Sequence, residues 1–134
     1  MNPNNKTIRV VAAIIRKGDK VFSAQRGYGD LKGKWEFPGG KVEAKETPEE
    51  AIIREIKEEL GTDIAVDSFF MNVKHEYPTF NLDMDVFLCH ILKGRLEVEE
   101  GIHLAEAYFT KEEMLKQDYC PADRKIVAEI LSRL

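Results

Sequence analysis

Glu55 lies three residues before Glu58 and four before Glu59, so on a helix the three carboxylates share one face. Like charges at these offsets oppose one another unless solvent, basic side chains or cations offset them. Hard cations such as Mg²⁺ and Mn²⁺ favour oxygen ligands, and Mg²⁺ commonly links one or two carboxylates to substrate phosphates. The spacing therefore points to metal-assisted chemistry on a diphosphate, with a solvated acidic helix face as the competing reading. Arg54 stands beside Glu55, where it either orients carboxylates or is an ordinary exposed helix arginine.

A helix is needed to hold these residues, and the sequence supplies its ends. Thr47, Pro48 and Glu50 form a start signal: a hydroxyl cap, a proline where no N–H is needed, and a glutamate that can close a capping box. Gly61 marks the end. Ile52, Ile56 and Leu60 form a separate apolar stripe that can dock on a core. Before the helix, Pro38, Gly39 and Gly40 read as a turn, with Trp35 and Phe37 as anchors.

The remaining chain predicts a scaffold of strands and helices. Residues 7–16 and 20–25 form an early hairpin around Gly18-Asp19. Residues 64–66 with 69–73, and then 82–88, predict two antiparallel strands joined around Pro78 and Asn81. A segment over 105–109 is extended, Thr110 starts a short helix, and residues 122–134 form a terminal helix with Ile126, Ile130 and Leu134 on one face.

The 134 residues fit one domain over 1–134, and 43% hydrophobic with 33% charged content indicates neither disorder nor a membrane protein. With no long uncharged apolar run and no secretory-type leader, the expected location is the cytoplasm. A net charge of −4 gives no reason to expect a nucleic-acid polymer as partner. Cys89 and Cys120 read as two reduced thiols.

The segment 35–62 resembles the Nudix box, the signature of Nudix hydrolases. Gly40 is followed after five residues by Glu46, then after seven by Arg54-Glu55-Ile56, then by Glu58-Glu59 and Gly61. The one departure is Thr62, where the motif usually ends on an aliphatic residue. The resemblance implies an α/β fold, the Nudix α/β/α sandwich with a mixed β-sheet packed between helices. It also implies that Glu55, Glu58, Glu59 and the Gly40 carbonyl hold Mg²⁺, with Mn²⁺ as a substitute, and that Arg54 orients the carboxylates.

Comparison with MutT-like members extends the site. It implies that Arg26 contacts substrate phosphate, the alternative being a surface arginine that balances the acidic helix. Glu100 falls where a loop carboxylate binds metal or activates the attacking water, with Glu97 and Glu99 as competitors. His75 and Tyr77 border the expected nucleotide pocket, although an edge histidine and a partly buried tyrosine are simpler readings. VVAAII, AQR, KWEFPGGKVE and the late CPAD segment resemble nucleoside triphosphate pyrophosphohydrolases of the CTP pyrophosphohydrolase type. In that comparison Asp123 recognises the base, and a carboxylate can accept a hydrogen bond from the exocyclic amine of cytosine. A helix cap is the plainer role for this aspartate.

The expected reaction is Mg²⁺-dependent hydrolysis of a nucleoside triphosphate to monophosphate and pyrophosphate, on CTP or modified cytidine nucleotides. An enzyme that removes 8-oxo-dGTP or other oxidised purine nucleotides is the main alternative. A catalytically silent nucleotide-binding or interaction domain is the other, and the family allows a homodimer.

Overall fold

A computed structural model describes residues 1–94, 96 and 103–134 of the chain. Its elements run β1 (Thr7–Lys17), β2 (Lys20–Arg26), β3 (Trp35–Glu36), β4 (Gly39–Lys41), α1 (Pro48–Leu60), β5 (Asp63–Glu76), β6 (Asn81–Lys93), β7 (His103–Phe109), α2 (Lys111–Leu115) and α3 (Pro121–Arg133).

The architecture follows from β1, whose apolar run is buried on both faces. Side chains alternate across a strand, so Val11, Ala13 and Ile15 pack with Ala51, Ile52 and Ile56 of α1, while Ala12 and Ile14 pack with Ile126, Val127 and Ile130 of α3. Helices thus cover opposite sides of one mixed sheet, the expected α/β/α sandwich. The sheet path is β3-β2-β1-β6-β5, with β4 paired to β1 and β7 to β2. β1 runs parallel to β6 and antiparallel to β4.

The helix signals match the structure. The Thr47 hydroxyl accepts the Glu50 N–H and the Glu50 carboxylate accepts the Thr47 N–H, completing the capping box at the start of α1. Gly61 ends the helix in the left-handed conformation at φ 65°. Thr62 is fully buried, and its hydroxyl donates to the Leu60 carbonyl at 3.1 Å, so the departure from an aliphatic residue is accommodated by satisfying its polar atom.

One expectation is corrected. Gly39 and Gly40 do not form a turn; they belong to β4, and neither has a positive φ. Their small size serves close approach instead, since a Cβ on Gly39 would stand 1.9 Å from the Val11 carbonyl oxygen. The runs 64–66 and 69–73 form the first of the two expected antiparallel strands, β5, which pairs with β6. Register shifts between Val66 and Ser68 and between Phe69 and Met71 break its alternation, and the strand extends further than those runs, to Glu76.

Candidate active site

Pairing with β1 sets Gly40 directly opposite Val11, and α1 crosses behind it. A Cβ at Gly40 would meet the Glu55 carboxylate at 2.3 Å, so only glycine lets this carboxylate lie against the strand. Arg54 gathers the other acids. Its guanidinium donates to Glu46 at 2.7 and 2.8 Å, to Glu55 at 2.8 Å, to Glu58 at 3.1 Å and to the Lys41 carbonyl at 2.9 Å.

This fork offsets the mutual repulsion of three carboxylates and ties α1 to the end of β4. The Arg54 hydrogen bonds hold the Glu46 carboxyl down at about 2, and the same bonds raise the Arg54 pKa. Glu58 is the most open of the group, with its side chain 62% exposed. Among the described residues no three acidic, histidine or cysteine side chains are arranged to enclose an ion.

Next to this assembly lies a cleft of about 650 Å³. One end is charged, formed by Gly40, Glu59, Arg26 and Glu36; the other is apolar, formed by Leu82, Met84, Tyr77 and Phe80. Arg26 is paired to Glu36, its Nε donating at 3.1 Å, and its guanidinium sits 5.4 Å from the centre of the Tyr28 ring. Burial opposes the arginine's charge, but the hydrogen bond and charge of Glu36 together outweigh it, so the pKa rises. Arg26 therefore stays cationic at the cleft wall.

Asp123 reaches the same cleft from the first turn of α3. The segment before α3 pairs with β3, Trp35 N–H to the Asp118 carbonyl and Cys120 N–H to the Trp35 carbonyl, both at 2.8 Å. The next donor along that edge, Phe37 N–H, is met by Asp123 Oδ2 at 2.9 Å. The aspartate is 7% exposed. Burial raises its pKa to about 7, with Glu36 pushing the same way and the Phe37 N–H and Arg26 opposing. The cap position of α3 belongs to Cys120, while Asp123, in the first turn, also accepts its own backbone N–H.

The structure thus brings Gly40, Glu59, Arg26, Tyr77 and Asp123 into one cleft wall, with Glu55 and Arg54 directly behind it. His75 is placed elsewhere: its ring stands 4.5 Å from that of Tyr77, but it does not line the cleft. Glu97, Glu99 and Glu100 lie outside the described residues. Glu46, Glu36 and Phe80 were missed as site residues. Glu46 was signalled by its motif position and Glu36 by its place just before the glycine segment, but its partner Arg26 comes from β2; Phe80 carried no signal.

An acidic helix organised by one arginine beside a two-ended cleft, on an α/β/α sandwich, defines a hydrolase for phosphate-bearing substrates. The NUDIX domain model matches residues 6–130, and the chain belongs to that family as a pyrophosphohydrolase. It is 37% identical over 100 residues to an 8-oxo-dGTP diphosphatase of Proteus vulgaris, covering 73% of this chain and 89% of that protein. It is 36% identical over 119 residues to the CTP pyrophosphohydrolase of Escherichia coli, covering 88% and 87%. The crystal structure of a MutT NUDIX hydrolase from Burkholderia pseudomallei superposes with a TM-score of 0.83 at 28% identity, over 94% of this chain and 99% of that one. NUDIX hydrolases generally require divalent metal ions, typically Mg²⁺. No described helix is long and apolar enough to cross a membrane.

Proposed function

We propose that the chain, acting as a single domain, hydrolyses a nucleoside triphosphate to the monophosphate and pyrophosphate, with cytidine nucleotides preferred. The observation that carries this reading is the polarity of the cleft. An apolar end walled by Tyr77 and Phe80 suits a base, and a charged end at Gly40, Glu59 and Arg26 suits phosphates.

The residues present fit a hard cation: every candidate donor is an oxygen, and the missing Cβ at Gly40 leaves the Glu55 carboxylate room against β4. Glu55, Glu58, Glu59 and the Gly40 carbonyl would hold it. When bound, Mg²⁺ supplies charge neutralisation for phosphoryl oxygens.

Arg54 keeps Glu55 and Glu58 in place, and Arg26 offers a fork to a phosphate oxygen. Hydrolysis adds one water across a P–O–P bridge, and its proton must pass to a base. Glu100 is the sequence candidate for that role. At the other end, Oδ1 of Asp123 can accept from the exocyclic amine of cytosine while Oδ2 holds Phe37 N–H.

A second reading, hydrolysis of 8-oxo-dGTP, draws support from the Proteus vulgaris relative and from the raised Asp123 pKa, because a protonated carboxyl can donate to a base. Turnover of CTP, 5-substituted dCTP, 8-oxo-dGTP and the ordinary dNTPs at matched concentrations tests both. The expected result is fastest turnover of a cytidine nucleotide; faster turnover of 8-oxo-dGTP rejects the cytidine preference, and no pyrophosphate from any of them rejects hydrolysis.

A further inference from the structure

At the start of α3 the Asp123 carboxylate accepts its own backbone N–H, and the donor before it is met from outside the helix. Cys120 occupies the cap position without a side-chain hydrogen bond, and Pro121 has no N–H, so Ala122 carries the first N–H of the helix. Such donors are usually met by a nearby polar side chain or by water. Here the acceptor is the phenol oxygen of Tyr77, 3.2 Å away and 45 residues earlier in the chain.

Tyr77 is itself fixed at the β5–β6 connection. Its N–H donates to the Phe80 carbonyl at 2.9 Å, and its ring stacks on Phe80 with centres 5.0 Å apart and planes inclined by 26°. Burial pushes the phenol's pKa up, so the acceptor is a neutral hydroxyl. One turn further along α3, Lys125 Nζ donates to the Lys74 carbonyl at 2.8 Å, but that tie comes from an exposed, flexible ammonium. At the far end of α3 Arg133 donates to the Phe70 carbonyl at 2.7 Å, so the tie that holds the first turn is Tyr77.

Asp123 follows Ala122 directly. Its carboxylate is held from one side by Phe37 N–H, and its backbone is held from the other through the Ala122–Tyr77 bond. We infer that Tyr77 is a positioning residue: by capping Ala122 it fixes the Asp123 carboxylate in the cleft and so sets base selectivity through the first turn of α3. The inference rests on the base-reading role proposed for Asp123.

Tyr77→Phe keeps the ring and its stack and removes only the acceptor. In the protein without nucleotide, amide hydrogen exchange at Ala122 should quicken by roughly five- to tenfold, the loss of one hydrogen bond. Unchanged exchange overturns the capping role. With the preferred nucleotide of the panel above, KM should rise by a similar factor and by more than kcat changes. In an Asp123→Asn background the same substitution should alter KM by about twofold or less, because the two act as a unit. Equal effects in both backgrounds overturn positioning through Asp123. A wild type that is base-selective while Tyr77→Phe leaves selectivity intact refutes this inference alone; a wild type indifferent to the base refutes the base-reading role and, with it, the inference.

Discussion

The two ends of the cleft are built in opposite ways. The acidic assembly behind the charged end is local: Glu46, Arg54, Glu55 and Glu58 lie within thirteen consecutive residues, and one helix and its entry loop bring them together. The base-facing wall is assembled from afar, with Asp123 meeting Phe37 across 86 residues and Tyr77 meeting Ala122 across 45. A local constellation depends on helix periodicity and one arginine, whereas a remote one depends on the whole sheet and the seating of α3. The chemistry common to the family can therefore stay fixed in α1 while the base end varies with each wall that forms it.

Substitutions should separate the two ends. The largest effect is expected at the charged end: Glu55→Gln keeps the shape against Gly40 but removes the charge, and should lower kcat on the order of 10²- to 10³-fold for every nucleotide tested, without changing their ranking. A change in ranking would break the division between the ends. Arg54→Lys should follow with a roughly 10- to 100-fold loss, seen as a higher Mg²⁺ concentration for half-maximal rate, because an ammonium cannot bridge Glu46, Glu55 and Glu58 in one plane.

At the other end, Asp123→Asn should raise KM for a cytidine nucleotide by roughly tenfold and leave a poor, base-indifferent substrate range. Its pH behaviour sharpens the contrast. The folded carboxyl sits near 7, above its ordinary value of 3.8, so between those values the unfolded chain has ionised while the folded one keeps its proton. The contribution of this group to stability is therefore full below about pH 4, falls as pH rises, and reaches its lowest level above about pH 7. Denaturant midpoints at pH 5 and pH 8 should show Asp123→Asn gaining stability relative to wild type at the higher pH. KM of the wild type for CTP should fall as pH rises through 7, and that dependence should vanish in the variant.

The smallest effect is expected at Thr47. Thr47→Ala removes the α1 cap and should cost about 1 kcal/mol of stability, a drop of about 4 °C in Tm, with kcat retained once the protein is folded.

The same difference explains what the sequence disclosed. The start, end and apolar stripe of α1 were legible because each depends on residues within one or two turns. β4 was not, because a three-residue strand of Gly-Gly-Lys has no side-chain pattern and is specified by its fit against β1. Strands β5 and β6 were legible as an antiparallel pair from their apolar runs, although the bulges of β5 reset its alternation and hid its full length. The pairing of Arg26 with Glu36, and the use of a carboxylate to complete the edge of β3, are tertiary contacts that no spacing announces. Asp123 and Tyr77 were reached only through family resemblance, and their joint hold on the start of α3 emerged from the fold.

The central claim is that the acidic face of α1 is a cation site rather than a solvated surface. Electron paramagnetic resonance of Mn²⁺ titrated into the protein with a non-hydrolysable CTP analogue tests it without relying on turnover. The account predicts saturable Mn²⁺ binding that Mg²⁺ displaces and that weakens at least about tenfold in Glu55→Gln. Equal Mn²⁺ binding by wild type and variant, or none by either, would contradict it.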